Sequence, residues 1–392
     1  MQPTDISAAE EAHRLLACKE PARKRPRLDV PFTRLSIGDP DLKERMLSGV
    51  ARVLEHGEYI LGPEVSEFER RFAEIGGTQY AVGVDNGTNA LLLSMRVLGI
   101  GPGDEVITAV NSFLASASSI ALAGARPVLV DVTDDFTIDP EQISRAITPR
   151  TKAIIPVHLT GRPAAMDEIT SLAAKKNLVI IEDAAQAVGA RLKGKRVGGF
   201  GTMGCFSLHP LKVLGAAGDG GVITTSSAEL DAALRRSRNH GLRNRDECSA
   251  WSYNARLDTV HAAMLLAKLD YLHEWIRRRR EIASFYSRRL SRWVTIPVEQ
   301  DGVEGVYQTY VIRAARRDRL KEFLAQRGIA TKIHYPIPIH LQEAAHELGY
   351  RRGDFPVAER HAEEILSLPM FPDLTAEQLE YVAQTIGEFY GA

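Results

Sequence analysis

Cysteine is scarce in this chain. Only three occur among 392 residues, at Cys18, Cys205 and Cys248, and no two are spaced as CxxC. An odd number of widely separated cysteines argues against a disulfide framework and fits a reducing compartment. We therefore expect neither structural disulfides nor a cysteine-based metal site.

The chain also lacks net charge and long apolar runs. Its 49 Lys and Arg residues nearly cancel 50 Asp and Glu residues, so no overall charge draws it to nucleic acid or a lipid surface. The most apolar long window, residues 113–130, is interrupted by serines and by Arg126. No apolar segment near the N-terminus looks like a signal peptide. We expect a cytoplasmic protein without nucleic-acid or membrane partners.

Length and local composition suggest three parts. Residues 1–30 carry clustered Lys and Arg around two prolines, which is typical of a poorly ordered arm. A partner or nucleic-acid role for this arm is the alternative. Residues 31–260 are predicted to form a large domain, and residues 261–392 a linking helix and a smaller second domain.

The large domain shows regular alternation of strand and helix patterns. Continuous apolar strands separated by helical segments favour a mostly parallel sheet covered on both faces. Helices are expected at residues 42–56, 64–75, 88–98 and 165–176. Strands are expected at residues 80–84, 105–109, 127–132, 153–157, 179–182, 204–208 and 222–225.

Two further patterns need interpretation. A single long amphipathic helix is predicted over residues 258–289, and its run Arg277-Arg-Arg-Arg280 is read as a solvated face, with an anion site as the alternative.

Residues 199–204 match GxGxxG, but that pattern indicates a dinucleotide site only after a strand and before a helix. Here it precedes a strand, so we predict a turn.

Lys212 lies on a tight connection between two predicted strands, after Pro210 and before the glycine-rich residues 215–221. Burying a lysine there disfavours its charged form unless the amine is paired, neutralised or made covalent. An imine to an aldehyde cofactor is the covalent option, and pyridoxal phosphate (PLP) is the common one. The alternative is a surface lysine on a flexible turn.

Two other strand ends carry polar groups. Asn86-Gly-Thr88 begins a helix, where free N–H groups, a glycine and a hydroxyl can hold phosphate, although an ordinary capping turn is the alternative. Asp183 ends a buried strand, where a carboxylate can keep a pyridine nitrogen protonated, and Gln186 can donate to a phenolic oxygen. The alternative for Asp183 is a helix cap.

A phosphate loop, a strand-end acid and a lysine on a turn occur in this order in PLP enzymes of the aspartate aminotransferase fold. The chain resembles the DegT-type sugar aminotransferases, fold-type I PLP enzymes, from about residue 29 to the C-terminus. The segments that carry the resemblance are GEYILGPE at 57–64, NGT at 86–88, NSF at 111–113, VHLTG at 157–161, EDAAQ at 182–186, SLHPLK at 207–212, GDGG at 218–221, RNHG at 238–241 and YNAR at 253–256.

The resemblance implies a fold: a large α/β domain with a mostly parallel seven-stranded sheet flanked by helices, and a smaller C-terminal α+β domain. It also implies site roles. Lys212 would carry PLP as a Schiff base and move a proton, Asp183 would hold the pyridinium, and Gln186 would contact the phenolic oxygen. Gly87, Thr88 and Ser207 match phosphate-binding positions. Phe113 matches a ring that stacks on the pyridine, where plain core is the alternative.

Asn254 matches a residue that reaches the neighbouring subunit's cofactor, which implies a homodimer with shared sites. His158, His209 and His240 lie in family motifs and are read as structural. Two positions depart from the family pattern: Val213 replaces a usual asparagine and Asp85 a usual serine. Neither departure removes a group that the chemistry needs.

The resemblance implies amino transfer from L-glutamate to a keto sugar, with pyridoxamine phosphate (PMP) as the alternate cofactor form. Residues 332–340 resemble members acting on dTDP-linked 3-keto-6-deoxy sugars, with His334 and Tyr335 near the sugar. Another keto sugar, a sugar phosphate or a keto-cyclitol is an alternative acceptor. A sugar dehydratase of this fold has histidine at the lysine position, so Lys212 favours transamination. A non-catalytic PLP-binding regulator is the remaining alternative.

Overall fold

The computed structural model describes residues 28–391, so most of the predicted basic arm lies outside the described residues. At its end, Val30 is buried and forms an isolated parallel bridge with Ile329. The helices are α1 Pro40–His56, α2 Pro63–Gly76, α3 Gly87–Val97, α4 Leu114–Ala123, α5 Pro140–Ala146, α6 Met166–Lys176, α7 Ala228–Ser237, α8 Thr259–Leu269, α9 Leu272–Leu290, α10 Arg317–Gln326, α11 Pro356–Glu364 and α12 Ala376–Tyr390.

Within residues 28–391, seven strands form the central sheet, and five shorter strands lie outside it. The central strands are β1 Tyr80–Val84, β2 Glu105–Ala109, β3 Arg126–Val130, β4 Thr151–Ile155, β5 Val179–Asp183, β8 Met203–Ser207 and β9 Gly221–Thr225. The others are β6 Arg191–Leu192, β7 Lys195–Arg196, β10 Val303–Glu304, β11 Tyr310–Arg313 and β12 Ile365–Leu368. In the central sheet the order is β1-β9-β8-β5-β4-β2-β3, and only β9 runs antiparallel to its neighbours.

This topology gathers the functional segments at one edge of the sheet. The carboxyl ends of β1, β8 and β5 lie there, and β9 starts there, since Gly221 pairs with both Val84 and Ser207. Ligands of open α/β sheets bind at the carboxyl ends of the strands. The segments that follow Val84, Asp183 and Ser207 therefore meet at one place.

Apolar side chains pack on both faces of the sheet and in a separate C-terminal unit. Phe72 lies between Phe68 and Phe206 on one face, with ring centroids 5.6 and 5.0 Å away. The C-terminal unit packs α9, α10 and α12 against the antiparallel pair β11–β12, around the buried Tyr286 and Tyr310. The predicted fold class is confirmed in this arrangement.

The single long helix predicted over residues 258–289 is wrong. The chain forms α8 and α9, separated at Asp270 and Tyr271. The Asp270 carboxylate accepts hydrogen bonds from Arg71, at 2.5 Å, and from Arg45, which joins the break to α2 and α1. Tertiary context of this kind overrides local helix signals.

The four-arginine run is not one solvated face. Arg277 is exposed and pairs with Glu274 and Glu281, as predicted, but Arg279 is only 5% exposed. Consecutive helical residues are about 100° apart around the axis, so four in a row must point in different directions. The reading as a solvated face is therefore wrong for Arg279.

The GxGxxG stretch is a turn, as predicted. The backbone N–H groups of Phe200 and Gly201 within it, and of Gly198 just before it, donate to the buried Glu182 at 2.7 to 2.8 Å. His158 completes the shell: its Nδ1 accepts from Ala164, so Nε2 donates to Glu182 at 3.1 Å. Between residues 28 and 391, no helix has the length and apolar character needed to cross a bilayer.

Candidate active site

Lys212 lies in the loop between β8 and β9 and is half-buried. Burial lowers the pKa of Lys212, and the negative charge of Asp183 opposes this shift. A lowered pKa favours the neutral amine, which is the nucleophilic form. This half-buried environment in the field of Asp183 differs from the alternative, which was a surface lysine on a flexible turn.

Gln308 fixes the backbone on both sides of Lys212. Its side-chain oxygen accepts from the N–H of Val213 at 2.8 Å, and its side-chain nitrogen donates to the carbonyl of Leu211 at 2.7 Å. The Lys212 N–H donates to the carbonyl of His209 at 2.8 Å. The main chain around the amine is thus held at three consecutive residues.

Asp183 is buried at the end of β5, with its carboxylate oriented by two donors. The Ser116 hydroxyl donates to Oδ2 at 2.6 Å, and the N–H of Ala185 donates to Oδ1 at 3.2 Å. The Ser112 hydroxyl lies 2.7 Å from that of Ser116. These hydrogen bonds fix the orientation of the carboxylate. Asp183 therefore does not serve merely as a helix cap.

Gln186 is oriented by contacts at both ends of its amide. Its oxygen accepts from the N–H of Thr160 at 2.7 Å, and its nitrogen donates to the Tyr335 hydroxyl at 3.3 Å. Burial, and then the charge of Asp183, raises the pKa of Tyr335 to about 12, against the opposing Gln186 hydrogen bond. Tyr335 is therefore a neutral phenol that lies between two predicted cofactor residues, Gln186 and Phe113.

His334 completes this part of the site. Its Nδ1 lies 2.9 Å from the Ser367 hydroxyl. Burial lowers the pKa of His334 to about 4, and the positive charges of Lys212 and Lys332 add to the shift. A neutral imidazole near Lys212 can accept or donate a hydrogen bond without adding charge.

The phosphate-binding prediction concerns the start of α3. Asn86 caps this helix by accepting from the N–H of Asn89 at 2.8 Å. The capping alternative therefore applies to Asn86, while the N–H groups at Gly87 and Thr88 lack intrahelical acceptors by geometry. A Cβ at Gly87 would lie 2.8 Å from the Ser207 Cβ, so only glycine allows the helix start and β8 to approach so closely.

Phe113 and Asn254 are both exposed. Phe113 is 54% exposed at the start of α4, 5.6 Å from the Tyr335 ring between centroids, which contradicts the core alternative. Asn254 forms an isolated bridge with Asn239. Within residues 28–391, no hydrogen bond joins Asn254 to the other predicted site residues.

Three positioning contacts were missed by sequence reasoning: Ser116, Thr160 and Gln308. Each acts through a partner that is distant in sequence, and only Thr160 lies in a quoted motif. Among the predicted residues, Lys212, Asp183, Gln186 and the start of α3 lie at the same edge of the sheet, and Asn254 makes no hydrogen bond to them in the described chain. An amine, a buried carboxylate, an amide and a free helix start at one sheet edge fit the aldehyde, ring nitrogen, phenolic oxygen and phosphate of PLP.

A sequence profile places this site in a known family. The profile of the DegT/DnrJ/EryC1/StrS aminotransferase family matches residues 40–387. The chain belongs to this family. It is a PLP-dependent sugar aminotransferase, and the predicted family, enzyme class and cofactor are confirmed.

Similar proteins cover nearly the whole chain. A Geobacillus stearothermophilus protein named "Pleiotropic regulatory protein" is 44% identical over 93% of this chain and 99% of its own. The dTDP-3-amino-3,4,6-trideoxy-α-D-glucose transaminase of Streptomyces venezuelae is 41% identical over 92% and 96%. The UDP-N-acetyl-3-dehydro-α-D-glucosamine 3-aminotransferase of Acidithiobacillus ferrooxidans is 43% identical over 91% and 97%.

Solved structures agree with the fold and the cofactor. The crystal structure of DesV from S. venezuelae, with a ketimine intermediate, has a TM-score of 0.90 and 41% identity over 93% of this chain and 99% of that one. NtdA from Bacillus subtilis, with bound cofactor PMP, has a TM-score of 0.85 and 28% identity over 92% and 85%.

Proposed function

We propose that this aminotransferase moves the amino group of L-glutamate to the C3 keto group of a nucleotide-linked sugar, most specifically a dTDP-linked 3-keto-6-deoxyhexose, in the cytoplasm. The observation that carries the site assignment is the half-buried Lys212, whose pKa is lowered by burial and whose amine lies in the field of Asp183. An amine with a lowered pKa in the field of a fixed carboxylate suits a cofactor with an aldehyde and a basic ring nitrogen.

When bound, PLP supplies an aldehyde that accepts and returns the amino group, and a ring that serves as an electron sink. Lys212 would hold it through Nζ and, once displaced by the amino donor, would move a proton between donor carbon and cofactor. Asp183, oriented by Ser116, would hold the ring nitrogen in its cationic form. Gln186 would donate to the phenolic oxygen through the same amide nitrogen that faces Tyr335.

Four residues would hold the remaining parts of the cofactor. The N–H groups of Gly87 and Thr88, with the Ser207 hydroxyl, would bind the phosphate at the positive end of α3. Phe113 presents an exposed ring next to Tyr335 and would stack on the pyridine. These roles rest on the positions of the groups at one edge of the sheet.

We place the enzyme in a two-fold homodimer. Asn254 is exposed and makes no hydrogen bond to the site of its own chain in the described residues, so Asn254 of the partner subunit would reach the phosphate. A C2 interface would then complete both sites at once.

The position of amination rests on what two relatives share, and the dTDP-linked 6-deoxy assignment rests on the resemblance of residues 332–340. The S. venezuelae and A. ferrooxidans enzymes are both named for nitrogen or a keto group at position 3, but one name specifies dTDP and the other UDP. His334 and Tyr335 would contact the sugar, as neutral groups beside Lys212 and Gln186. A UDP-linked 3-keto sugar is the alternative, and a keto-cyclitol or a sugar phosphate is a more distant one.

The reverse reaction tests this function. The PLP-loaded enzyme would be incubated with 2-oxoglutarate and each of a set of dTDP- and UDP-linked 3-amino and 4-amino sugars, and glutamate formation would be measured. We expect product from dTDP-linked 3-amino-6-deoxy sugars. Turnover of only 4-amino sugars would refute amination at position 3. Turnover of only UDP-linked sugars would refute dTDP as the nucleotide of the acceptor.

One observation favours the regulator alternative, which is the name of the G. stearothermophilus relative. A regulator would show a visible PLP band that no amino donor changes. We expect L-glutamate to shift that band, because the amine, the carboxylate and the amide needed for the chemistry are all in place.

A further inference from the structure

Glu69 and Arg238 form a buried ion pair beside β1. Glu69 lies on α2 and is 3% exposed, and Arg238 directly follows α7 and is 5% exposed. The guanidinium Nη1 of Arg238 donates to the Glu69 carboxylate. Burying two charges is costly unless further hydrogen bonds satisfy them. The other partners of this pair therefore show what it holds in place.

Both members of the pair bind the main chain of Gly83. The Glu69 Oε1 accepts from the Gly83 N–H at 2.8 Å, and the Arg238 Nη1 donates to the Gly83 carbonyl at 2.7 Å. Gly83 belongs to β1, which lies at the edge of the central sheet. The main-chain groups of an edge strand need other partners on their open side. The two side chains take the place of a neighbouring strand at this residue.

Gly83 lies just before the predicted phosphate loop. Val84 ends β1, and Gly87 and Thr88, whose N–H groups would bind the phosphate, begin α3. Only three residues separate Gly83 from Gly87. Groups that bind a ligand need supporting residues that lock them by packing and hydrogen bonds. The Glu69–Arg238 pair therefore fixes the main chain from which the phosphate loop starts.

The main chain of Arg238 holds a second part of the predicted site. Its carbonyl accepts from the Ala255 N–H at 2.9 Å. The next residue, Asn239, forms the bridge with Asn254, and its side-chain oxygen accepts from Arg256 Nη1 at 2.9 Å. Asn254 is thus held by a short antiparallel pairing that starts at Arg238.

Asn254 and the phosphate loop belong to different sites in the proposed homodimer. The loop after Gly83 would bind the cofactor phosphate of its own subunit, whereas the exposed Asn254 would reach the phosphate of the other subunit's cofactor. Arg238 contacts both elements, the first through its side chain and the second through its carbonyl. A shift of this one residue would therefore change both sites of the dimer.

We propose that Arg238, together with Glu69, is a positioning residue that serves two cofactor sites, the phosphate loop of its own subunit and the Asn254 contact to the other subunit's phosphate. This inference rests on the proposed homodimer and adds the group that fixes its two phosphate contacts relative to each other. Arg238 is buried and acts through Gly83 and Asn254, without touching the cofactor.

Mixed dimers separate the two effects. Each dimer would combine two chains with different affinity tags, one of which carries Lys212→Ala, so that only one site can hold PLP covalently. Placing Arg238→Met in the chain that keeps Lys212 removes the support of the phosphate loop in that site. Placing it in the Lys212→Ala chain instead removes only the support of the Asn254 that reaches that site.

The measurement is a PLP titration followed by the visible band of the Lys212 adduct, with pyridoxal, which lacks the phosphate, titrated in parallel. We expect the dissociation constant of PLP to rise roughly fivefold or more in both arrangements, the value of about one hydrogen bond. The affinity for pyridoxal should stay the same. Arg238→Lys keeps the charge beside Glu69 with a shorter reach, so its loss should be smaller, at roughly twofold or more.

Arg235→Met is the matched control. Arg235 lies on α7 and pairs with the same Glu69, at 2.7 Å, and with Asp231. Among the described residues it makes no hydrogen bond to Gly83 or to residues 253–255. We expect this variant to bind PLP like the unmodified protein in both arrangements.

Several outcomes would overturn the inference. A loss of PLP affinity only when Arg238→Met is in the chain that keeps Lys212 would mean that Arg238 supports the phosphate loop alone. An equal loss of pyridoxal affinity, or an equal loss in the Arg235→Met control, would point to general destabilisation. If Arg238→Met does not fold, the lysine variant decides, and unchanged PLP affinity in both arrangements would reject the proposal.

Failure of the proposed homodimer would look different. The unmodified protein would then sediment as a monomer, or Asn254→Ala in the Lys212→Ala chain would leave PLP affinity unchanged. A dimer in which that Asn254→Ala change weakens PLP binding, while Arg238→Met in the same chain does not, would reject only the shared role of Arg238.

Discussion

Replacing Gln308 with leucine tests whether the main chain around Lys212 must be held in place for PLP to be retained. Leucine has a similar size but can make neither of the two hydrogen bonds that join this side chain to Leu211 and Val213. The Lys212 side chain itself is unchanged. Any effect on the cofactor must therefore act through the backbone of the loop.

The size of the effect follows from the bonds removed. Each hydrogen bond contributes about 0.5–1.5 kcal/mol net, so losing two costs about 1–3 kcal/mol. Val213 is buried, and its N–H would lose its acceptor, which favours the upper part of this range. Because cofactor binding would then have to order the loop, we expect the dissociation constant of PLP to rise by roughly tenfold or more.

The assay is a PLP titration followed by the visible absorbance band, with circular dichroism as the check on folding. Gln342→Leu is the matched control, because Gln342 makes one 3.3 Å hydrogen bond to the carbonyl of Ile337. We expect the control to bind PLP like the unmodified protein. Gln308→Leu protein that retains PLP equally tightly would refute the reasoning.

Three other outcomes are expected. Ser116→Ala removes the 2.6 Å donor to Asp183 and should weaken PLP binding by about 1.5–3 kcal/mol, the value of a hydrogen bond to a charged group, in the same titration; unchanged affinity would contradict the positioning role. Gly87→Ala places a Cβ 2.8 Å from the Ser207 Cβ, so the variant should bind both PLP and inorganic phosphate more weakly than the unmodified protein does. Unchanged affinity of the variant for both ligands would count against the phosphate assignment. The rate at which Lys212 captures PLP should rise with pH, because the neutral amine reacts, with a midpoint below the ordinary lysine value of 10.5; a midpoint at or above that value would contradict the burial argument.

The central sheet could be predicted from the sequence because its strands are continuous apolar runs. The bounds of β1 and β2 match the predicted residues 80–84 and 105–109, and the others shift by at most two residues at either end. The helix α4 was missed because residues 114–123 mix small apolar residues with three serines and carry no amphipathic pattern. The break between α8 and α9 depends on contacts of Asp270 with distant helices, which local periodicity does not encode.

The site residues also divide into those that a sequence pattern marks and those that depend on contacts distant in sequence. Lys212, Asp183 and the start of α3 could be found because glycines, strand ends and family motifs mark them. Gln308 lies almost 100 residues from the loop it holds, and no local pattern marks it. Arg279 looked like one of four equivalent arginines, and only the packing of α9 separates it from the exposed Arg277 and the half-buried Arg278 and Arg280.

The most direct test of the account is reductive trapping of the cofactor. The PLP-loaded protein would be treated with borohydride, digested, and examined by peptide mass spectrometry. We predict a pyridoxyl group on the peptide that contains Lys212, and none on the peptide that contains Lys268. The absence of an adduct on Lys212, or an adduct on another lysine instead, would contradict the central claim.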